Sequence, residues 1–161
     1  MPGPDAPAFS FDPAGPGDLD AALPVIREFY AHFGFPWDEE RKRSVLREML
    51  GDPARGRLFL IRRADTVVGY ALLAFYLSLE FDGPTAILDE FFVQSACRGG
   101  GLGGRALVQL LRVLADQGIR VARLEIDDRH PEAASLYARH GFRPDGRRLW
   151  TRRTGDLLET D

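Results

Sequence analysis

The stretch Cys97-Arg98-Gly99-Gly100-Gly101-Leu102-Gly103-Gly104-Arg105 constrains this chain more than any other. It follows an apolar, strand-like run, Ala86 to Val93, and opens directly into a helix-like run, Ala106 to Ala115. Five glycines among the six residues Gly99 to Gly104 are costly at such a junction. Glycine loses more backbone freedom on ordering than alanine, about 1 kcal/mol per residue within a helix. In return the junction exposes backbone N–H groups without bulk. At a helix N-terminus those groups and the helix dipole make an anion site. The loop reads either as a site for a phosphate-bearing cofactor or as a flexible turn in a glycine-rich chain.

The 161 residues suggest one domain spanning 1–161, with a Pro- and Gly-rich start, residues 1–8, expected to be disordered. A 45% hydrophobic and 28% charged composition is that of a soluble globular protein. The net charge of −3 argues against a nucleic-acid partner. No apolar run approaches the roughly 20 residues that span a bilayer, so no membrane partner is expected. The N-terminus lacks a basic-then-apolar signal, and the single cysteine, Cys97, excludes an internal disulfide; both fit a cytoplasmic location. His32, His130 and His140 make no metal-ligand spacing with Asp or Glu, so no metal is expected.

Hydrophobic periodicity and turn residues divide the chain further. Phe9 to Phe11 reads as a short strand. Asp18 or Asp20 can cap a helix to Phe33, although Pro24 favours a start near Leu23. Asp38 caps a second helix to about Leu50. Arg57–Arg63 and Thr66–Leu77 form a hairpin about Ala64-Asp65, followed by the strand Ala86–Val93. A helix from Gly101 or Gly103 to Gln117 carries Leu107, Leu110, Leu111 and Leu114 on one face. Val121–Ile126 is a strand and Pro131–His140 a short helix. Phe142 opens a further strand, Asp145-Gly146 signals a hairpin, and Leu149–Arg153 returns. The order predicts an α/β (α+β) fold with a mixed, mostly antiparallel sheet of about seven strands and four helices. A dinucleotide fold would place its glycine fingerprint after the first strand; here the loop follows the fourth, which removes that reading.

Two blocks carry a family resemblance. Arg98-Gly99-Gly100-Gly101-Leu102-Gly103 resembles the cofactor motif of the GNAT family of acetyl-CoA-dependent N-acetyltransferases. About 30 residues on, Ala133-Ala134-Ser135-Leu136-Tyr137-Ala138-Arg139-His140-Gly141-Phe142 is similar to that family's Ala-x-x-Leu-Tyr-x-x-x-Gly-Phe helix and turn. The strand Leu88-Asp89-Glu90-Phe91-Phe92-Val93 looks like the family's fourth strand, with an acid pair in the place where polyamine-acetylating members carry Glu-Asp. The resemblance implies a GNAT fold, acetyl-CoA as cosubstrate, and direct transfer of acetyl to a primary amine of a small molecule or polyamine in a ternary complex. A peptide or protein N-acetyltransferase, and a non-catalytic CoA-binding module, are the alternatives. Family relatives are often dimers, so the resemblance leaves room for a homodimer.

The site follows residue by residue. Backbone N–H groups of Gly99 to Gly104 and Arg105, with Leu102 between them, suit a CoA pyrophosphate; Arg98 either adds charge or ties the loop. Phe91, Phe92 and Val93 would pair with the pantetheine arm, and the resemblance makes the Val93 N–H a donor to the thioester carbonyl. His130 stands where the family commonly has an Asn, and it and Ser135 are further cofactor contacts. The family makes Tyr137 the general acid for the leaving thiolate. An alkylammonium with pKa ~10.4 has no lone pair at neutral pH and needs a proton acceptor. Asp89 is slightly favoured as base, with Glu90 binding the cation; without a bulge only one of them faces a given site. Phe33, Trp37, Tyr76 and Glu80 are candidate substrate contacts.

Overall fold

The computed structural model describes residues 8–127 and 129–154. The predicted disordered start therefore lies, but for its last residue, outside the described residues. Strand β1 is Ser10–Pro13. A 3-10 turn at Pro16–Asp18 leads into helix α1, Leu19–Phe33, and helix α2 is Glu39–Gly51. Strands β2 (Gly56–Arg63), β3 (Thr66–Ser78) and β4 (Gly83–Val93) follow. A 3-10 turn at Ser95–Cys97 precedes α3 (Leu102–Asp116), then β5 (Val121–Leu124) and α4 (Pro131–Arg139).

Helix α1 starts at Leu19, not near Leu23. Leu19, Ala22 and Leu23 are buried, and that packing outweighs the missing N–H of Pro24 early in the helix. Gly34 ends α1 in the left-handed conformation, φ 70°, with its N–H on the Ala31 and Tyr30 carbonyls. Asp38 caps α2 by accepting from Arg41 N at 3.1 Å.

The sheet has the order β1-β2-β3-β4-β5; the first three pairings are antiparallel and β4–β5 is parallel. It is mixed as expected, but has five strands among the described residues, not about seven. Asp145-Gly146 does turn: Gly146 has φ 76° and Arg147 N donates to Asp145 Oδ1 at 3.0 Å. The flanking residues do not pair. A turn is satisfied locally, whereas a strand needs a partner. Phe142 packs back on Tyr137, and from there to Arg153 the large apolar side chains are Leu149 and Trp150, 69% and 89% exposed, amid Pro144 and a run of arginines.

Two cores lie on opposite faces of the sheet. Helices α3 and α4 cover one, with Leu102, Ala106, Leu107, Leu110 and Tyr137 packed on Ala71, Leu73 and Leu88. Helices α1 and α2 cover the other, with Phe29, Ile26 and Leu46 on Leu58, Tyr70 and Phe92. Strand β4 changes allegiance between them. Leu73 pairs with Leu88 and Leu72 with Glu90, so Asp89 is an extra, unpaired residue, a β-bulge. Before it Ala86 and Leu88 face the α3 core; after it Val93 faces that core while Phe92 faces α1. Strict alternation would put Glu90 on one face with both Leu88 and Phe92; the bulge leaves it with Phe92 alone.

Candidate active site

Strand β5 pairs with β4 only over Thr85–Leu88, so the β4 edge from Asp89 to Val93 is open on that side. Gln94 N donates to Val68 O of β3 at 2.9 Å. Amides alternate along a strand, so the Val93 and Phe91 N–H groups face the open edge. Facing that edge is a cavity of about 460 Å³. Its walls are Phe91, Phe92 and Val93 of β4, the glycine turn, His130 at the N-cap of α4, and Leu136 and Tyr137 of α4. His32 and Phe33, in the last turn of α1, complete it.

The glycine turn has the shape its sequence suggests. Gly99 and Gly101 have φ 88° and 70°, a region that L side chains avoid. Gly101 is the N-cap of α3 and offers no side-chain cap, so the first N–H groups of α3 are left for a ligand. Arg98 Nε donates to Val93 O at 2.8 Å and its guanidinium lies over the Phe92 ring. It ties the loop to the end of β4. Arg105 Nη1 donates to Gly100 O at 2.7 Å and bridges the turn from within the helix.

Tyr137 is buried and packs edge-on to Phe142, ring centroids 5.7 Å apart. Burial pushes its phenol up to about 12. His130 ends in the cavity, its ring 4.5 Å from Phe33 and 5.4 Å from His32, with Nδ1 3.3 Å from Glu132 Oε1.

The acid pair lies beside the cavity, not on its wall. Asp89 is exposed at the bulge, and partial burial of its carboxyl raises its pKa. Glu90 turns to the α1 face, where Tyr30 Oη donates to Oε1 and Tyr70 Oη to Oε2, each at 2.7 Å. Burial raises the Glu90 pKa, the two phenol bonds oppose this, the Asp89 charge adds to it and Lys42 opposes it. Both phenols are pushed up in turn, first by burial and then by the Glu90 charge.

Residues 23–142 match the Acetyltransferase (GNAT) family. The chain belongs to the GNAT acetyltransferase family. It is 27% identical over 127 residues to the IAA acetyltransferase of Azospirillum brasilense, covering 79% of this chain and 80% of that one. Its fold is shared with integron cassette protein HFX_CASS3 from the Cole Harbour salt marsh metagenome, at TM-score 0.80 and 30% identity, over 89% of this chain and 90% of that one. It is shared too with aminoglycoside N-acetyltransferase AAC(6')-Iy, in complex with CoA, at TM-score 0.78 and 14% identity, over 94% and 98% of the two chains.

GNAT acetyltransferases use acetyl-CoA, and the residues present fit it: an uncapped helix start, left-handed glycines and an open strand edge on one cavity. Of the expected cofactor contacts, Phe91, Phe92, Val93, Arg98, Gly99, Gly101, Leu102, Gly103, Gly104 and His130 line the cavity; Gly100, Arg105 and Ser135 do not. Ser135 is exposed. Among the expected substrate contacts only Phe33 lines it. Trp37 packs against Tyr30, ring centroids 5.5 Å apart. Tyr76 and Glu80 lie toward the other end of β3; Tyr76 accepts from Arg123, and Glu80 is held by Arg147 through two bonds of 2.7 and 2.6 Å. His32, Glu132 and Tyr70 belong to the site, yet none of them sits in a motif that marks it. His32 is brought in by the last turn of α1, and Tyr70 is one apolar-looking position in a strand pattern.

Proposed function

We propose that this GNAT protein transfers acetyl from acetyl-CoA to the primary amine of a small molecule. The observation that carries the reading is the bulged β4. On one strand it presents an open edge to the cavity and, toward α1, a half-buried carboxylate held by two phenols. Acetyl-CoA supplies an activated acetyl thioester. The first-turn N–H groups of α3 and the glycine turn hold its pyrophosphate, and the Phe91–Val93 edge pairs with its amide-bearing arm. The Val93 N–H is a donor available to a carbonyl oxygen at that edge. Tyr137 keeps its proton at neutral pH and can donate it to a departing thiolate. The acid pair Asp89–Glu90 draws the acceptor ammonium and takes its proton. Cys97 is a free thiol, and no hydrogen bond joins it to a basic side chain among the described residues, which favours direct attack over a covalent enzyme intermediate. The similarity to acetyltransferases named for IAA and for aminoglycosides supports a small acceptor over a peptide.

Thiol release from acetyl-CoA is the test, measured with polyamines, aminoglycosides, arylalkylamines and peptides with free N-termini or lysines. Turnover on at least one small amine is expected. Turnover on peptides alone, or CoA binding without turnover on any amine, would overturn the reading.

A further inference from the structure

Glu90, on β4, is acted on from three other elements. Tyr30 reaches it from α1 and Tyr70 from β3, one phenol on each oxygen. From α2 comes Lys42, the only lysine in the chain, its Nζ 4.2 Å from the Tyr30 ring centroid. Asp89 is the neighbouring charge on β4. Phenylalanine would fill the same space at positions 30 and 70 without burying a hydroxyl. A buried carboxylate with two donors is generally no more stabilising than apolar packing. What two phenols do provide is an oriented, ionisable carboxylate: each donor takes one lone pair on an oxygen and leaves another free. The adjoining Tyr30 face already carries an alkylammonium, that of Lys42, in cation–π geometry.

We propose that Tyr30 and Tyr70 are positioning residues that hold Glu90 as the proton acceptor of the reaction, and that the acceptor ammonium docks beside it on the Tyr30 face, where Lys42 now lies. The proposal rests on the acetyl-transfer reading and selects Glu90 over Asp89 as the base. Glu90 takes one proton from the ammonium. The freed lone pair forms the N–C bond while the C–S bond breaks. A second proton passes from that nitrogen to the thiolate by way of the Tyr137 hydroxyl, and Glu90 returns its proton to water.

The four neighbours act on Glu90 with defined signs. The two phenols and Lys42 favour its charged form, and Asp89 disfavours it. Two measurements test the arrangement. In resting protein with 13C-labelled glutamate carboxyls, the Glu90 titration, assigned with E90Q, should move to higher pH in Y30F, Y70F and K42M and to lower pH in D89N. With an amine substrate, the acid limb of kcat/KM should move in the same four directions. K42M should also lower KM for the amine, and E90Q should lose about 10²-fold or more in kcat. If neither titration moves, the tyrosines do not hold the carboxylate, and that result overturns the proposal. So does a carboxyl titration that moves while the kinetic limb stays, which puts the base elsewhere. Absence of transfer to any amine by the wild-type protein overturns the acetyl-transfer reading, and with it the role of Glu90 as base, whatever the carboxyl titration shows.

Discussion

Tyr137 and Glu90 are both raised by burial, with opposite chemical consequences. A phenol pushed up to about 12 stays protonated through the neutral range, so Tyr137 enters the reaction as a donor and takes up a proton only as it gives its own. A carboxyl raised toward neutrality becomes a better proton acceptor than a solvated one. Tyr137→Phe should therefore lower kcat toward the low end of the roughly 10²–10⁴-fold range for acid–base catalysis, because a thiol with pKa ~8.5 leaves with little help. It should leave the acid limb of kcat/KM unmoved; a shifted limb would mean that Tyr137 tunes the base. Tyr137 and the glycines were legible in the sequence because their roles are carried by local motifs. His32 was not, since nothing in its own neighbourhood says that the end of α1 meets α4 across a cavity.

Two close approaches between elements decide the shape of the site, and both need glycine. At Gly69 in β3 a Cβ would lie 2.5 Å from Phe92 O and 3.2 Å from Val93 Cα, backbone of the very strand that forms the cavity edge. At Gly104 in α3 it would meet the ring of His140, the C-cap of α4, at 3.2 and 3.3 Å. His140 is itself fixed, its Nδ1 donating to Leu136 O at 2.8 Å. Overpacking typically costs about 1–3 kcal/mol, and more where the neighbour cannot move. A side-chain ring can yield by a few tenths of an ångström and a paired strand cannot. Gly69→Ala should therefore destabilise more than Gly104→Ala in urea unfolding; the reverse order would show that the α3–α4 contact is the stiffer one. The glycine turn was readable as a helix start. The Gly104 contact was not, since nothing near Gly104 in the chain says that the His140 ring packs against it. The bulge at Asp89 had no sequence signal either: it arises from the register of β3 against β4.

Across the whole molecule, Glu90 sets chemistry against stability. Its folded pKa lies above its unfolded value, so between the two the native state holds more protons than the unfolded one. Stability from this group therefore falls as pH rises through that window and stays reduced above it. Glu90→Gln removes the charge while keeping the shape. The difference in unfolding free energy, variant minus wild type, should grow as pH rises from about 4.5, the ordinary carboxyl value, and then level off. A difference that does not change with pH would mean that the buried carboxylate is fully compensated by its phenols. What the sequence determined by itself was whatever depends on near neighbours in the chain. That includes the four helices, the Asp38 cap of α2, the β2–β3 hairpin, the glycine-rich start of α3, and the pair of motifs that mark a GNAT acetyltransferase. Only the tertiary structure decided which acid is buried and which exposed, because one bulge turns β4 over between two cores. It also decided that the C-terminal arginine-rich residues do not extend the sheet, since pairing needs a partner edge that local sequence does not supply.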